Sequence, residues 1–503
     1  IGHLMPVIDY PSVSVEQAIR VENNNYLFVD RDLSGAQPGT FNIVLNDPEG
    51  QEVLSREYEL KAREEGSATR EGFNSEDVIY LITPDRFANG NAENDEVASM
   101  ADKPNREHPG GRHGGDIRGL IDHLDYMEEL GVTTLWLNPV LENDQPEYSY
   151  HGYSTTDYYR VDPRYGSNEL YKELVQEAQS RGMKFIMDMI VNHCGSEHWW
   201  MKDLPTDDWV NYQGQDFHQS NHRREALQDP YAAPQDGQTH NDGWFVRSMP
   251  DLNQKNPLMA TYLIQNSIWW VEYADLTGIR MDTYSYPDKH FMTEWTRRVM
   301  EEYPNFNVVG EEWSNNPVTV SYWQRGKENK DGYVSYLPSL MDFPLQSAIS
   351  ESIREEETKY NTGLIKLYRT LANDVVYPDP DNLVVFLDNH DMSRFYTQMG
   401  EDIPSLKMGL AYMLTTRGIP QMYYGTEILM SNKGTEDHGV IRSDFPGGWK
   451  GDEANAFTGE GLSEEAQDMH EYTKTLLNWR KGNKAITHGS LTHYAPEQGF
   501  YFY

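Results

Sequence analysis

The chain has 503 residues, with 42 Lys plus Arg against 80 Asp plus Glu and a formal net charge of −38. At roughly 100–200 residues per domain, that length asks for two to four domains or one large α/β barrel with attachments. The acidity excludes a polyanionic partner such as nucleic acid, the single cysteine (Cys194) excludes a disulfide framework and a cysteine-based zinc site, and no apolar run approaches the ~20 residues that cross a bilayer.

The opening Ile1-Gly2-His3-Leu4-Met5 has no basic segment followed by an apolar one, so the compartment stays open, with export favoured over the cytoplasm. Up to about Leu60 the chain reads as short strands. Val21 and Tyr26–Val29 precede a Pro38-Gly39 turn, and Phe41, Ile43, Val44 and Leu45 precede Asn46-Asp47-Pro48. Residues 1–70 are expected to hold a small β-sandwich or part of one, with the charged stretch Lys61–Asn74 as its linker.

From Asp77 apolar strand-length runs alternate with helical stripes. Val78–Ile82 is a buried-strand run. Leu120, Leu124, Met127 and Leu130 mark a helix ended by Gly131, followed by the strand Val132–Leu137. A second stripe (Leu170, Leu174, Ala178) stops at Gly182 before the strand Lys184–Ile190. Further strands are read at Gly278–Met281, Asn307–Val309, Leu383–Leu387 and Ile419–Tyr424, with a helical run at Leu258–Leu276. About eight such units make an α/β fold, a (β/α)₈ TIM barrel over residues 71–485. Residues 194–257 are too long for an ordinary loop and read as an inserted subdomain after the third strand, over the barrel mouth. Residues 486–503 turn β-like again, at Leu491–Tyr494 and Phe500–Tyr503, as the start of a C-terminal β-domain that stops short.

Chemistry in a parallel barrel sits where strands end. Four strand ends run straight into charge: Asp188 to Asn192-His193, Arg280-Met-Asp282, Gly310-Glu311, and Asp388-Asn-His390-Asp391. A lone Asp there is more often a salt-bridged loop residue, but four such ends in order are hard to explain as structure alone. Asp282, Glu311 and Asp391 around two His and one Arg suggest glycoside chemistry, which in its retaining form needs a nucleophilic carboxylate and a protonated carboxyl about 5–5.5 Å apart. Arg280 shares a strand face with Asp282 and is expected to hold it ionised, while Glu311, crowded and desolvated, is expected to keep its proton. Tyr150, Tyr153, Trp199, Trp200 and Trp244 offer flat faces for sugar rings, though each Trp alone is more often packing.

These four segments resemble the ordered signature regions of the α-amylase family of glycoside hydrolases. His151-Gly152-Tyr153 near the barrel mouth resembles a further segment of that family, and two stretches resemble its neopullulanase and cyclomaltodextrinase branch: Ser248-Met-Pro-Asp-Leu-Asn253 near the end of the insertion, and Arg442-Ser-Asp444-Phe-Pro-Gly-Gly-Trp449 near the eighth strand. The likeness covers roughly Asp77 to Arg480. It implies Asp282 as nucleophile, Glu311 as general acid/base and Asp391 as the third carboxylate. It also implies Tyr153, His193, Arg280 and His390 around the sugar being cleaved, Asp188 orienting Arg280, and Asp437 and Arg442 serving more distant subsites, although the spacing of the last two departs from the common pattern. Asp282-Thr-Tyr-Ser-Tyr286 lacks the Glu or Lys-His that many relatives carry there, which leaves bond preference open.

The segment Pro84–Asp95 clusters side-chain oxygens, with Gly114-Gly115-Asp116 arriving later. Alone it reads as a polar turn. The branch resemblance instead implies a structural Ca²⁺ held by Asn89, Asn91, Asn94, Asp95, Gly114 and Asp116, an oxygen-rich set of the kind calcium takes, with Asn91 standing where relatives often carry Asp. The substrate implied is an α-glucan oligosaccharide or polysaccharide, with no nucleic acid and no membrane. The branch also pairs as a homodimer through its N-terminal domain, which is short here. Three readings follow: a retaining hydrolase of α-1,4 links in maltooligosaccharides, pullulan or cyclodextrins, a transglycosylase with the same residues, and a catalytically dead barrel used for binding. The last conflicts with the intact carboxylates.

Overall fold

In the computed structural model, which describes residues 1–503, five strands come first: β1 (Met5–Ile8), β2 (Ser14–Arg20), β3 (Leu27–Asp32), β4 (Gly39–Asn46) and β5 (Glu52–Leu60). β1, β4 and β5 form an antiparallel sheet, and β2 pairs with β3. β2 and β5 had no clear signal because most of their side chains are exposed and carry no apolar alternation. This unit leans on the inserted region, where Asn23 Nδ2 donates to Asp203 Oδ1 at 2.6 Å and Tyr26 stacks on Trp199.

The barrel is built from β6 (Ile79–Ile82), β7 (Thr134–Leu137), β10 (Lys184–Met189), β11 (Gly278–Met281), β12 (Asn307–Gly310), β13 (Ser339–Leu340), β14 (Val384–Phe386) and β15 (Ile419–Tyr423). The small hairpin β8 (Leu141–Glu142) and β9 (Asp157–Val161) sits over its mouth. Every barrel pairing is parallel, in the order β13-β12-β11-β10-β7-β6-β15-β14. One bridge, Met341 to Val384, brings the two ends together, with Asp342 N–H donating to Val384 O at 2.8 Å. All residues of β6, β7, β11, β12 and β15 are buried, as expected of strands with helices on one side and a filled barrel on the other. β13 escapes a reading by pattern, because two residues are too few to show one.

Helices start where the turn supplies a cap: Asp116, Ser167, Asn256, Asp288, Asp342 and Asp402 each accept a first-turn backbone N–H. The helix read through Leu120–Leu130 is two, Ile117–Asp122 and Leu124–Leu130. They break at His123, whose ring stacks on Phe457 at 3.5 Å. Residues 194–257 follow the third barrel strand and hold short turns and one helix, Pro234–Asp242. The bridge His193–Asp251 pins them to the rim, and the bridge Val210–Leu252 ties them together internally. The expected strands after residue 486 do not form: the helix Lys484–Thr487 is followed by irregular chain with a single bridge, Glu497–Phe500. That segment docks by side chains, as where Tyr503 OH meets Thr415 Oγ1 at 2.6 Å. No helix is long and apolar enough to cross a membrane.

Candidate active site

Register places the charged strand ends side by side. Asp188 on β10 pairs with Arg280 on β11, and Glu311 follows β12 immediately. Arg280 is buried and grips three carboxylates. Its Nη1 lies 2.9 Å from Asp188 Oδ1 and 2.6 Å from Asp282 Oδ1, and its Nη2 lies 2.8 Å from Glu311 Oε2. Thr283, directly after Asp282, has φ +45°, a left-handed conformation that is costly for a β-branched residue. The strained turn lets Thr283 N–H donate to Glu311 Oε2 at 3.0 Å while Thr283 Oγ1 reaches Asp282 Oδ2 at 3.3 Å. One guanidinium and one turn therefore fix Asp282 and Glu311 to each other.

Sharing changes the electrostatics. Burial pushes Asp282 well above its ordinary pKa; Arg280 opposes this and Glu311 adds to it. Asp188 is raised by burial against Arg280 in the same way. The expectation that Arg280 alone keeps Asp282 low is thus corrected, because a single positive charge is divided among three buried carboxylates.

Tyr153 ties the next layer together. Its OH donates to Asp188 Oδ2 at 2.9 Å, stands 2.7 Å from His390 Nε2 and receives Asn138 Nδ2 at 3.0 Å. Its ring lies parallel to that of His390, centroids 5.3 Å apart. Asp188 Oδ2 also accepts from Trp136 Nε1 at 3.0 Å. His193 Nε2 is 3.1 Å from the Tyr153 carbonyl, and burial lowers its pKa to about 4. Asp391 is held separately: Arg442 Nη2 lies 2.6 Å from its Oδ1 and His390 Nε2 lies 3.0 Å from its Oδ2. Burial acts against Asp391, yet His390, His438 and Arg442 together keep it well below the usual carboxylate range.

A cleft of about 570 Å³ opens onto this floor and is lined by Tyr150, His151, Tyr153, His193, Asp282 and Asp391, with Phe245 and Met249 from the insertion. The three tryptophans lie elsewhere. Trp200 is buried against His198, Trp199 stacks on Tyr26 of the N-terminal unit, and Trp244 donates its indole N–H to Asn211 O at 2.8 Å. Phe245 supplies the apolar wall instead. Arg442 lines the cleft, but Asp437 does not: it caps the short helix His438–Ile441, accepting from Gly439 N–H at 2.8 Å, and His438 faces the cleft in its place.

Residues 81–485 match the family described as "Alpha amylase, catalytic domain". The chain belongs to the α-amylase family. Residues 1–64 match "Cyclomaltodextrinase, N-terminal". Among relatives, a cyclomaltodextrinase of Thermoanaerobacter pseudethanolicus is 28% identical over 444 residues, covering 85% of this chain and 68% of the relative. Neopullulanase 2 of Thermoactinomyces vulgaris is 29% identical over 421 residues, covering 83% of this chain and 64% of the relative. The chain thus spans about two thirds of the length of these curated relatives. Among solved structures, an α-amylase of Geobacillus thermoleovorans in complex with acarbose superposes with a TM-score of 0.65 at 31% identity, covering 83% of this chain and 81% of that one.

Within this family member some site residues had no reading from sequence. Asn138 ends β7 as Asp188 and Glu311 end theirs, so the same strand-end rule would have found it. Phe245 had no signal beyond proximity to a motif, and His151, although it opens the stretch His151-Gly152-Tyr153, carried no assigned role. In the loop after β6, Asn89 Nδ2 donates to both oxygens of Asp95 at 2.9 Å, and a Cβ on Gly114 (φ +90°) would stand 2.7 Å from Asp95 Oδ1. Asp116 accepts backbone N–H groups from Gly90, Asn91 and Gly119. Asn94 Oδ1 is buried with no partner, whereas the Asn91 amide oxygen accepts from Glu93 N–H at 3.2 Å. No three His, Cys, Asp or Glu are grouped to hold a metal. A cation here would rest on amide and backbone oxygens beside two carboxylates, and the orphaned Asn94 oxygen fits that role.

Proposed function

We propose that this chain is a retaining hydrolase of α-glucans, cleaving α-1,4-glucosidic bonds of maltooligosaccharides, pullulan or cyclodextrins through a covalent glycosyl-enzyme. The observation that carries the proposal is one guanidinium, Arg280, holding both Asp282, which lines the cleft, and Glu311, which suits the close carboxyl pair of a retaining enzyme. Asp282 attacks the anomeric carbon while protonated Glu311 gives its proton to the departing glycosidic oxygen. Glu311, now a base, takes a proton from water as that water displaces Asp282. Asp391, kept anionic by His390 and Arg442, accepts hydrogen bonds from ring hydroxyls, and the Tyr153 ring supports the sugar face. Relatives named cyclomaltodextrinase and neopullulanase support the substrate range.

The test is product analysis on starch, pullulan and cyclodextrin separately, with the anomer followed by NMR. The α-anomer should appear first; early β-product would overturn retention, and longer oligosaccharides in place of free sugars would mark a transglycosylase. The same reading includes a structural Ca²⁺ held by Asn89, Asn94, Asp95, Asp116 and the Gly114 backbone, where it would cross-brace two loops and take no part in bond cleavage.

A further inference from the structure

Glu312, next to Glu311, is wholly buried, and neither of its carboxylate oxygens has a hydrogen-bond partner. The nearest positive charge is Arg224, which comes from the inserted subdomain and places its Nε 3.1 Å from Glu312 Oε1. The rest of that guanidinium is spent on the two catalytic loops. Nη1 donates to the carbonyl of Trp313 at 2.6 Å, two residues after Glu311, and Nη2 donates to Tyr286 OH at 3.0 Å, four residues after Asp282. The insertion holds Tyr286 from other sides as well. His222 Nδ1 lies 3.1 Å from its OH, Asn241 Nδ2 donates to its carbonyl at 2.7 Å, and Phe245, which lines the cleft, packs against its ring at 4.6 Å.

We propose that Arg224 is a positioning residue: a single guanidinium of the inserted subdomain locks the loop after the nucleophile strand to the loop after the acid strand, with Glu312 as its buried counter-charge. The physical need is clear from the turn at Thr283. A strained backbone keeps its shape only when its surroundings over-determine it, and Arg224 with Tyr286 pins the far end of that loop. Glu312 explains why an arginine can be held there, since a fork aimed at a carbonyl and a phenol still needs a partner for its charge. The inference rests on the hydrolase reading above and adds to it a role for the insertion beyond walling the cleft.

The test uses the full chain carrying Arg224→Met, Glu312→Gln, both together, and Arg224→Lys, with kcat and KM on a maltooligosaccharide and a melting curve for each. Arg224→Met should lower kcat by about ten- to a hundred-fold, the scale of a misplacement near 1 Å, with KM changed less than threefold or so. It should also melt lower, because it leaves Glu312 buried and unpaired. Adding Glu312→Gln removes that stranded carboxylate, so the double variant should regain melting temperature while kcat stays low. Arg224→Lys keeps the charge without the fork and should melt near the parent while still losing kcat. Recovery of kcat together with stability in the double variant would overturn positioning and leave Arg224 a structural ion-pair partner. A parent-like kcat in Arg224→Met would do the same. A parent protein that fails to hydrolyse any α-glucan would instead refute the hydrolase reading, and this inference with it.

Discussion

His198 in the inserted subdomain should remain uncharged far below the pH at which histidines ordinarily ionise. Its ring is fully buried and packs on Trp200 with centroids 4.1 Å apart. Nδ1 accepts from the Trp200 N–H at 3.1 Å and Nε2 has no partner. A second proton would have to sit on Nδ1 and face another N–H, and burial lowers the pKa from 6.5 to about 3. The folded value lies below the unfolded one, so between those limits the unfolded chain binds the extra proton. The stability contribution is complete above pH about 6.5 and declines as pH falls toward 3. At pH 5 an unfolded imidazole is almost fully protonated, so unfolding takes up about one proton at this site, and the linkage costs roughly 2 kcal/mol.

His198→Asn keeps an acceptor for Trp200 N–H and removes the titration. Histidine ring-proton signals followed by NMR from pH 8 to 4.5, with His198 assigned by its loss in the variant, should show this signal not moving. Calorimetric unfolding at pH 5 in buffers of different ionisation enthalpy should then count about one proton fewer for the variant. A His198 signal that titrates above pH 5, or equal proton uptake by the two proteins, would refute the reasoning from burial and the occupied Nδ1.

Asp282→Asn and Glu311→Gln should each lower kcat on the order of 10⁴-fold, the scale seen when one member of a concerted catalytic set is removed, with unchanged far-UV circular dichroism as the control for folding. Trp270→Ala, which empties a fully buried site and removes the indole N–H that donates to Tyr158 O, should cost about 3–5 kcal/mol in denaturant unfolding. Tyr153→Ala should lower kcat/KM far more than it lowers stability, and equal effects of both variants on activity at matched folding would mean the sugar platform is misplaced. Exhaustive chelation should lower the melting temperature and leave kcat, measured well below it, unchanged; loss of activity with an unchanged melting curve would place a metal in the active site instead.

Much of this architecture is legible from pattern because the barrel strands are buried on both sides. Ile79–Ile82 and Gly278–Met281 read as short apolar blocks that stop at charge, and the charge marks the catalytic rim. The same logic fails where burial does not write itself into sequence. β13 is two residues long, β5 is exposed on nearly every side chain, and the break at His123 depends on a stacking partner more than three hundred residues away. At the site, Asp188, Arg280, Asp282 and Glu311 come together as their strand positions imply. What composition could not indicate is the sharing of Arg280, since that follows from the sheet register and from the left-handed turn at Thr283. Aromatic residues mislead for a related reason. Trp199 and Trp200 pack the insertion against its neighbours and Trp244 bonds within it, and a flat apolar ring serves packing as readily as it serves a sugar.

The carboxylates of the cleft divide into two electrostatic halves, and that division assigns their work. In one half Asp188, Asp282 and Glu311 share Arg280, so full ionisation would leave two uncompensated negative charges in a buried space. Burial accordingly pushes Asp188 and Asp282 toward their protonated forms. In the other half Asp391 has Arg442 on one oxygen and His390 on the other and stays anionic. A glycosidase needs one carboxyl that retains a proton for the leaving oxygen and another that stays charged beside a developing oxocarbenium ion. The half built on Arg280 must supply both the proton for the leaving oxygen and the carboxylate that attacks, whereas Asp391 keeps a charge of its own. Substituting Arg442 would therefore disturb the anionic half alone, whereas substituting Arg280 would release three carboxylates at once, which is why Arg280 and not any single acid sets the proton inventory of the site.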